Sequence, residues 1–290
     1  LTEFGGLTTE GYLTGRSLKR HKNLYTSEFY NAEEYKCFDG ELTAEHECHP
    51  DLCRITSSAL STIEGTPFTL WHVFDFLDAE SIELPYLERY DMMKKHVEML
   101  QLQGRAINLR VIPNYWAHDL QTVLDWDNKF LDMGYEGTII RDPYGMHKQG
   151  RSTVNEMGLL RIKRFIEEEA EVLEIIEGEA NENEAQVNEL GLTYRTSHQE
   201  NKVKNGMVGA LMCRILKDIF AHDGSILFEA GSIIKVGAGR MSHKEREFYF
   251  RYSHNLLGQT IKFKTFLHGA YNKPRFPTFQ AIRSSSDISC

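Results

Sequence analysis

The sequence predicts an α+β unit followed by an all-β unit. Three observations carry this: strands and helices alternate up to about Phe165, mostly strands follow it, and turn-rich stretches separate those later strands. Tyr35–Leu42 (YKCFDGEL) and Phe68–Leu77 (FTLWHVFDFL) are short apolar and aromatic runs of strand character. Between 84 and 102, apolar residues recur at Leu84, Leu87, Tyr90, Met93, Val97 and Leu100, the spacing of one helical face, and a strand-like run follows at 106–112. Asp119 fits the N-cap of a second helix running to Met133, with Gly134 as its stop. Further strands are expected at 136–142 and 158–165.

Beyond Ile166, strand signals fall at 170–177, 207–216, 225–230 and 259–268. One helix interrupts them near 242–252, where Ser242 and Glu245 have the spacing of a capping box. Such a set suits a small Greek-key barrel of the OB type. The polar stretch from Asn181 to Asn205 reads as a long loop.

Composition narrows the class without naming a partner. The 290 residues are 41% hydrophobic and 26% charged, as in ordinary globular proteins. No apolar run approaches the roughly 20 residues of a membrane span, and the first residues carry no signal-peptide pattern. The five cysteines are odd in number and unevenly spaced, so a reducing, cytoplasmic setting is expected. The net charge of −9 hides an asymmetry. From Glu167 to Glu189 every charged residue is a glutamate, whereas 261–283 is basic and interleaved with aromatics. Local patches, not the total, decide binding to nucleic acid.

Single motifs here are weak. Asp39-Gly40-Glu41 is ordinarily a turn with a solvated carboxylate, and LLRIKRF (159–165) alternates as any edge strand does. Their order is more specific. GRSLK (15–19), FDGEL (38–42), VFDFL (73–77), EGTIIR (136–141) and LLRIKRF together resemble the motif series of the covalent nucleotidyltransferases, in particular ATP-dependent DNA ligases of the small phage type. NENEAQVNELG (181–191), RTSHQENK (195–202), GMVGAL (206–211) and PRFPTF (274–279) extend the likeness over nearly the whole chain.

The resemblance implies a nucleotidyltransferase (ATP-grasp-like) domain over 1–165 and an OB-fold DNA-binding domain over 166–290. It implies a monomer that seals nicks in duplex DNA with ATP and Mg2+, through a lysyl-AMP and a DNA-adenylate. Phosphoryl transfer gathers charge on phosphate oxygens, which calls for cationic side chains and a metal held by carboxylates. By resemblance, Glu41 and Glu136 are those carboxylates or ribose contacts beside the metal, and Arg16, Arg161 and Lys163 contact phosphate. Phe74 matches the aromatic residue that stacks on adenine. Arg161 and Lys163, two apart on a strand, point to one face and leave Ile162 for the core. Arg195, His198, Lys202, Lys262, Lys264 and Arg275 are expected DNA-backbone contacts.

One departure bears on chemistry. The family's first motif, K-x-D-G-x-R, supplies the nucleophile, and its nearest string here, Lys36-Cys37-Phe38-Asp39-Gly40, has one residue too many between Lys and Asp. The sequence is therefore expected to begin downstream of that motif, and these residues alone to form no lysyl-AMP. Two other readings remain: an RNA ligase or capping enzyme, and a non-catalytic relative that binds nicks. The crowded His46, Cys48, His49 and Cys53 suit a surface hairpin better than a zinc site, whose ligands come as spaced pairs.

Overall fold

The computed structural model describes residues 6–7, 13–15, 18–150, 152–188, 191–221, 224–271 and 273–284. The chain divides into two compact units, 1–163 with 188–192, and 164–187 with 193–290.

In the first unit, β1 (Gly6–Leu7) pairs with β2 (Leu13–Thr14) ahead of helix α1 (Leu24–Phe29). Asn23 caps α1, its side chain accepting from Thr26 N at 2.8 Å. Strand β3 (Phe38–Thr43), helix α2 (Leu52–Ser61), strand β4 (Leu70–Phe76), helix α3 (Tyr86–Leu102) and strand β5 (Leu109–Val111) follow. The strands form one sheet in the order β3-β4-β5, antiparallel then parallel. Helix α4 (Leu120–Asp132) is capped by Asp119, which accepts from Thr122 N at 2.7 Å. A two-stranded antiparallel sheet, β6 (Gly137–Arg141) with β7 (Leu159–Lys163), completes the unit.

The alternation of β3 and β4 gives their sheet two unlike faces. Phe38 and Leu42 of β3 and Trp71 and Val73 of β4 enter a core shared with Met93, Val97 and Leu100 of α3, the helical face read from the sequence. Within it, Tyr30, Tyr35, Phe38 and Phe76 meet edge to face, with centroids 4.9–5.1 Å apart for Tyr30–Tyr35 and Phe38–Phe76. Gly40 belongs to this face. A Cβ there would lie 2.4 Å from His72 O and 2.7 Å from Trp71 Nε1, so the FDG motif, which lies within β3 and not in a turn, needs glycine for packing.

The second unit opens with β8 (Ile166–Asn181) and a hairpin of β9 (Ala185–Val187) and β10 (Thr193–Arg195). Then come β11 (Lys202–Ile215), β12 (Ile219–Phe220), β13 (Ile226–Phe228), β14 (Ile233–Gly237), α5 (His243–Arg251), β15 (Thr260–Tyr271) and β16 (Lys273–Ile282). Five of these strands close a barrel in the order β11-β14-β16-β15-β8, which leaves its edges paired. The Ser242–Glu245 capping box at the start of α5 is present.

The structure corrects several sequence readings. The stretch 181–205 is no long loop, because β8 runs to Asn181, β11 begins at Lys202 and the β9–β10 hairpin lies between. Buried Asn183 organises it by donating to the carbonyls of Thr196 (3.0 Å) and His198 (2.8 Å). The crowded 46–53 segment is a turn entering α2, not a hairpin: His46 Nδ1 accepts from Cys48 N and His49 Nδ1 from Asp51 N. Helix α2 and strands β14 and β16 carried no clear sequence signal.

Most of the glutamate run lies in β8. Its carboxylates bond the neighbouring strands' cations: Glu167 to Lys262, Glu169 to Arg283, Glu171 to Arg214 and Glu179 to Lys204. The acidic run and the basic run lie side by side in one barrel.

Replacing Gly40 by alanine is expected to destabilise the chain by about 1–3 kcal/mol, the range for overpacking a rigid site. Urea unfolding of the variant beside the parent measures it.

Candidate nucleotide site

The outer face of the β3-β4-β5 sheet carries Glu41, exposed and directly opposite His72 on β4. His72 in turn pairs with Arg110 on β5. Phe74, half-buried, is the one extra β4 residue at a register shift, where Val73 pairs with Gly40 and Asp75 with Asp39. At this end of the strands Asp39 lies opposite Asp75, and both are buried.

Asp75 anchors an ion network absent from the sequence-derived site. Arg89 of α3 reaches it twice, Nε to Oδ1 at 2.8 Å and Nη2 to Oδ2 at 2.9 Å, both side chains being fully buried. Arg141, the last residue of EGTIIR, donates to the same Oδ2 and stacks its guanidinium over Tyr86, 3.8 Å from the ring centroid. A buried carboxylate bonded by two guanidiniums is strongly coupled to both, since stranding any member leaves an unpaired charge. Arg141 thus ties the end of β6 to β4.

Asp39 sits beside this network, and no described residue bonds its Oδ1. Burial first, then the Asp75 charge, pushes its pKa up to about 7, against the opposing pull of Arg141.

The other end of β6 is also tied. Tyr135 hydrogen-bonds Cys48 and Glu47, in the turn that follows β3, and burial and these neighbours push its pKa up to about 12. Strand β6 therefore has tethers at both ends to segments flanking the outer face of the β3-β4-β5 sheet. The glycine of its motif has a packing reason. Gly137 adopts φ +154°, and a Cβ there would lie 2.3 Å from Ile162 O of β7.

That close pairing sets Gly137 opposite Lys163. Lys163 Nζ forms an ion pair with Glu136, the two residues that the motif order had joined across 27 positions of sequence. Arg161 lies on the same face of β7 and is exposed, while Ile162 pairs with buried Thr138 on the other side. Thr138 in turn donates to Asp127 of α4 at 2.7 Å.

The expected residues therefore fall into two groups: Glu41 with Phe74 on β3–β4, and Glu136, Lys163 and Arg161 on β6–β7. Arg16 lies outside the described residues. A surface hollow of about 440 Å³ lined by Lys94, Val97, Glu98, Gln101, Leu102 and Val111 contains none of them. Among the described residues, no three His, Cys, Asp or Glu side chains are grouped to hold a metal ion.

In the barrel unit the six expected DNA contacts have varied surroundings. Lys262 is ion-paired with Glu167, and Lys264 lies 4.0 Å over the Phe165 ring. The β15 face is therefore less openly cationic than its sequence suggests. Arg195 donates to Asn183 O within the hairpin, Arg275 lies 5.4 Å from the Phe276 ring centroid, His198 is exposed and Lys202 half-buried.

No protein-family model matches the chain, and neither does any curated protein. Solved structures do. A Lig E DNA ligase, described as binding DNA with a minimal scaffold, is similar over 97% of this chain and 91% of its own, at 19% identity and a TM-score of 0.62. A structure named Pmar-Lig_Pre is similar over 98% of this chain and 62% of its own, at 19% identity and a TM-score of 0.63. The chain shares their fold. The Chlorella virus DNA ligase-adenylate, at 21% identity over 97% of this chain and 91% of its own, has a TM-score of 0.47. Among the described residues, no helix is long and apolar enough to cross a membrane.

Two outcomes follow for the ion network. Asp75→Asn is expected to cost about 3–5 kcal/mol, the usual penalty for breaking a buried pair from one side, and Arg141→Gln less, because Arg89 retains Asp75; chemical denaturation compares them. For Asp39, a folded-state pKa raised to about 7 from 3.8 means that its stabilising contribution is complete below pH 4 and is lost as pH rises through 7. Asp39→Asn should then be more stable than the parent at pH 8, with the difference shrinking towards pH 4 in melts recorded across that range.

Proposed function

We propose that this chain is an ATP-dependent DNA ligase, acting on nicked duplex DNA as a monomer in the cytoplasm. The observation that carries the reading is the ion pair between Glu136, just ahead of β6, and Lys163, at the end of β7, in a strand pair tied through Arg141 to Asp75 of the sheet that bears Glu41 and Phe74. The fold shared with a solved Lig E DNA ligase supports it. In this reading residues 1–165 form the nucleotidyltransferase domain and 166–290 an OB-fold domain that binds the duplex.

Each side chain has a physical task. Phe74 offers its ring to adenine, and Glu41 accepts from the ribose or would help to hold the metal ion. Lys163 neutralises Glu136 until a phosphate arrives; its ammonium then turns to the phosphate oxygens, with Arg161 beside it on the same strand face. Nick sealing joins the 3′-hydroxyl oxygen to the 5′-phosphorus and expels AMP, so the developing charge falls on oxygens within reach of these cations. Arg16 joins them by its place in the GRSLK motif.

Mg2+ commonly binds through one or two carboxylates together with substrate phosphates, not in an all-protein cage. The donor set fits that mode: Glu41 and Glu136 would be the carboxylates that hold the ion, Glu136 exchanging Lys163 for it, and no dedicated three-ligand cluster is present among the described residues. When bound, the ion supplies charge neutralisation at the phosphates. In the barrel, Arg195, His198, Lys202, Lys262, Lys264 and Arg275 are the DNA-contact candidates, with Lys262 having to exchange Glu167 for phosphate.

No lysine in these 290 residues has the K-x-D-G spacing of the nucleophile, so incubation with ATP and Mg2+ followed by mass spectrometry should detect no AMP adduct. A nick already carrying 5′-adenylate bypasses that requirement. The chain should seal such a nick, and Lys163→Met should slow sealing by about 10²-fold or more, as for removal of a transition-state charge donor. Failure of the parent chain to bind or seal adenylated nicked DNA would overturn the proposal.

A further inference from the structure

The outer face of the first sheet carries a residue that the ordered motifs do not include. His72 stands between Glu41 on β3 and Arg110 on β5, in register with both, and is two residues before Phe74 on its own strand. If Phe74 takes adenine and Glu41 the ribose side, His72 lies on the same face beside both. Its ring is held in place, because Nε2 is 3.1 Å from the hydroxyl of Thr43, a buried residue two positions along β3 from Glu41. With Nε2 so engaged, Nδ1 is the ring nitrogen left for another partner.

Resting on the nucleotide-site reading above, we propose that His72 is a sugar-specificity residue, contributing a hydrogen bond through Nδ1 to a ribose hydroxyl of the bound nucleotide next to Glu41. The surroundings favour a neutral ring for that task. Burial is the main influence lowering its pKa; Arg110 and His46 act in the same direction, and Glu47 opposes them. Glu41 faces it from β3. A neutral imidazole can donate or accept at Nδ1 according to its tautomer, and the Thr43 hydroxyl can complement either choice at Nε2. Arg110 is held aside by its own bonds to the carbonyls of Ile107 (2.7 Å) and Leu109 (2.8 Å). A site built to bond a hydroxyl discriminates against the analogue that lacks it, because its polar group is then left unpaired.

The test is calorimetric binding of ATP and of 2′,3′-dideoxy-ATP, each with Mg2+, to the 290-residue chain and to His72→Leu and His72→Asn. The parent should prefer ATP. His72→Leu should weaken ATP by about three- to tenfold, the worth of one neutral hydrogen bond, while leaving the dideoxy analogue unchanged. His72→Asn should recover part of the preference. An ATP preference unaltered in His72→Leu, or an equal loss for both nucleotides, would overturn the role of His72 and leave the nucleotide site standing. Failure of the parent to bind either nucleotide would instead overturn the nucleotide site, and this inference with it.

Discussion

The buried carboxylate of Asp75 holds the first unit's site together. It receives Arg89 from α3 and Arg141 from β6, so one acidic group connects the main sheet, its packed helix and the small second sheet. Burying Asp75 and Arg89 fully and Arg141 in part is costly, and a purely apolar join would often be as stable. What the ion network adds is direction: a bidentate guanidinium fixes orientation as well as contact. Together with Tyr135 at the other end, it fixes where β6 lies along the sheet, and with it Glu136 and Lys163.

This arrangement gives a reason for residues that looked incidental in the motifs. The glycine of FDG makes room for Trp71 and the glycine of EGT lets β6 approach β7, while the arginine ending EGTIIR reaches Asp75 of VFDFL. Two motifs that the sequence could only place in order are thus joined by a direct bond. The chemistry proposed for Glu41, Phe74, Glu136 and Lys163 needs their backbones placed to within fractions of an ångström, and rigid strands with buried anchors provide that.

Much of this was legible beforehand where the signal was local. The α3 stripe, the Asp119 cap and the Ser242–Glu245 box were readable because each depends on residues three or four apart. The Glu136–Lys163 pairing was foreseen only as a shared role, and Asp75–Arg89–Arg141 not at all. Long-range charge pairing leaves no periodic trace in a sequence; an aspartate inside an apolar strand was the one hint. Strand β16 is hidden in the sequence because Pro274 and Pro277 argue against a strand, yet it pairs along β15 with register shifts that accommodate them. The glutamates of β8 and the lysines of β15 are far apart in the sequence. Antiparallel pairing brings them together, which the linear charge pattern could not reveal.

A nucleotide bound as proposed rests against both strand pairs of the first unit at once. Hydrogen exchange with and without ATP and Mg2+ tests it most directly. Added nucleotide is expected to slow exchange together in 38–43 and 70–76 and in 136–141 and 159–163. Protection confined to one strand pair, or found only around the hollow beside α3, would contradict it.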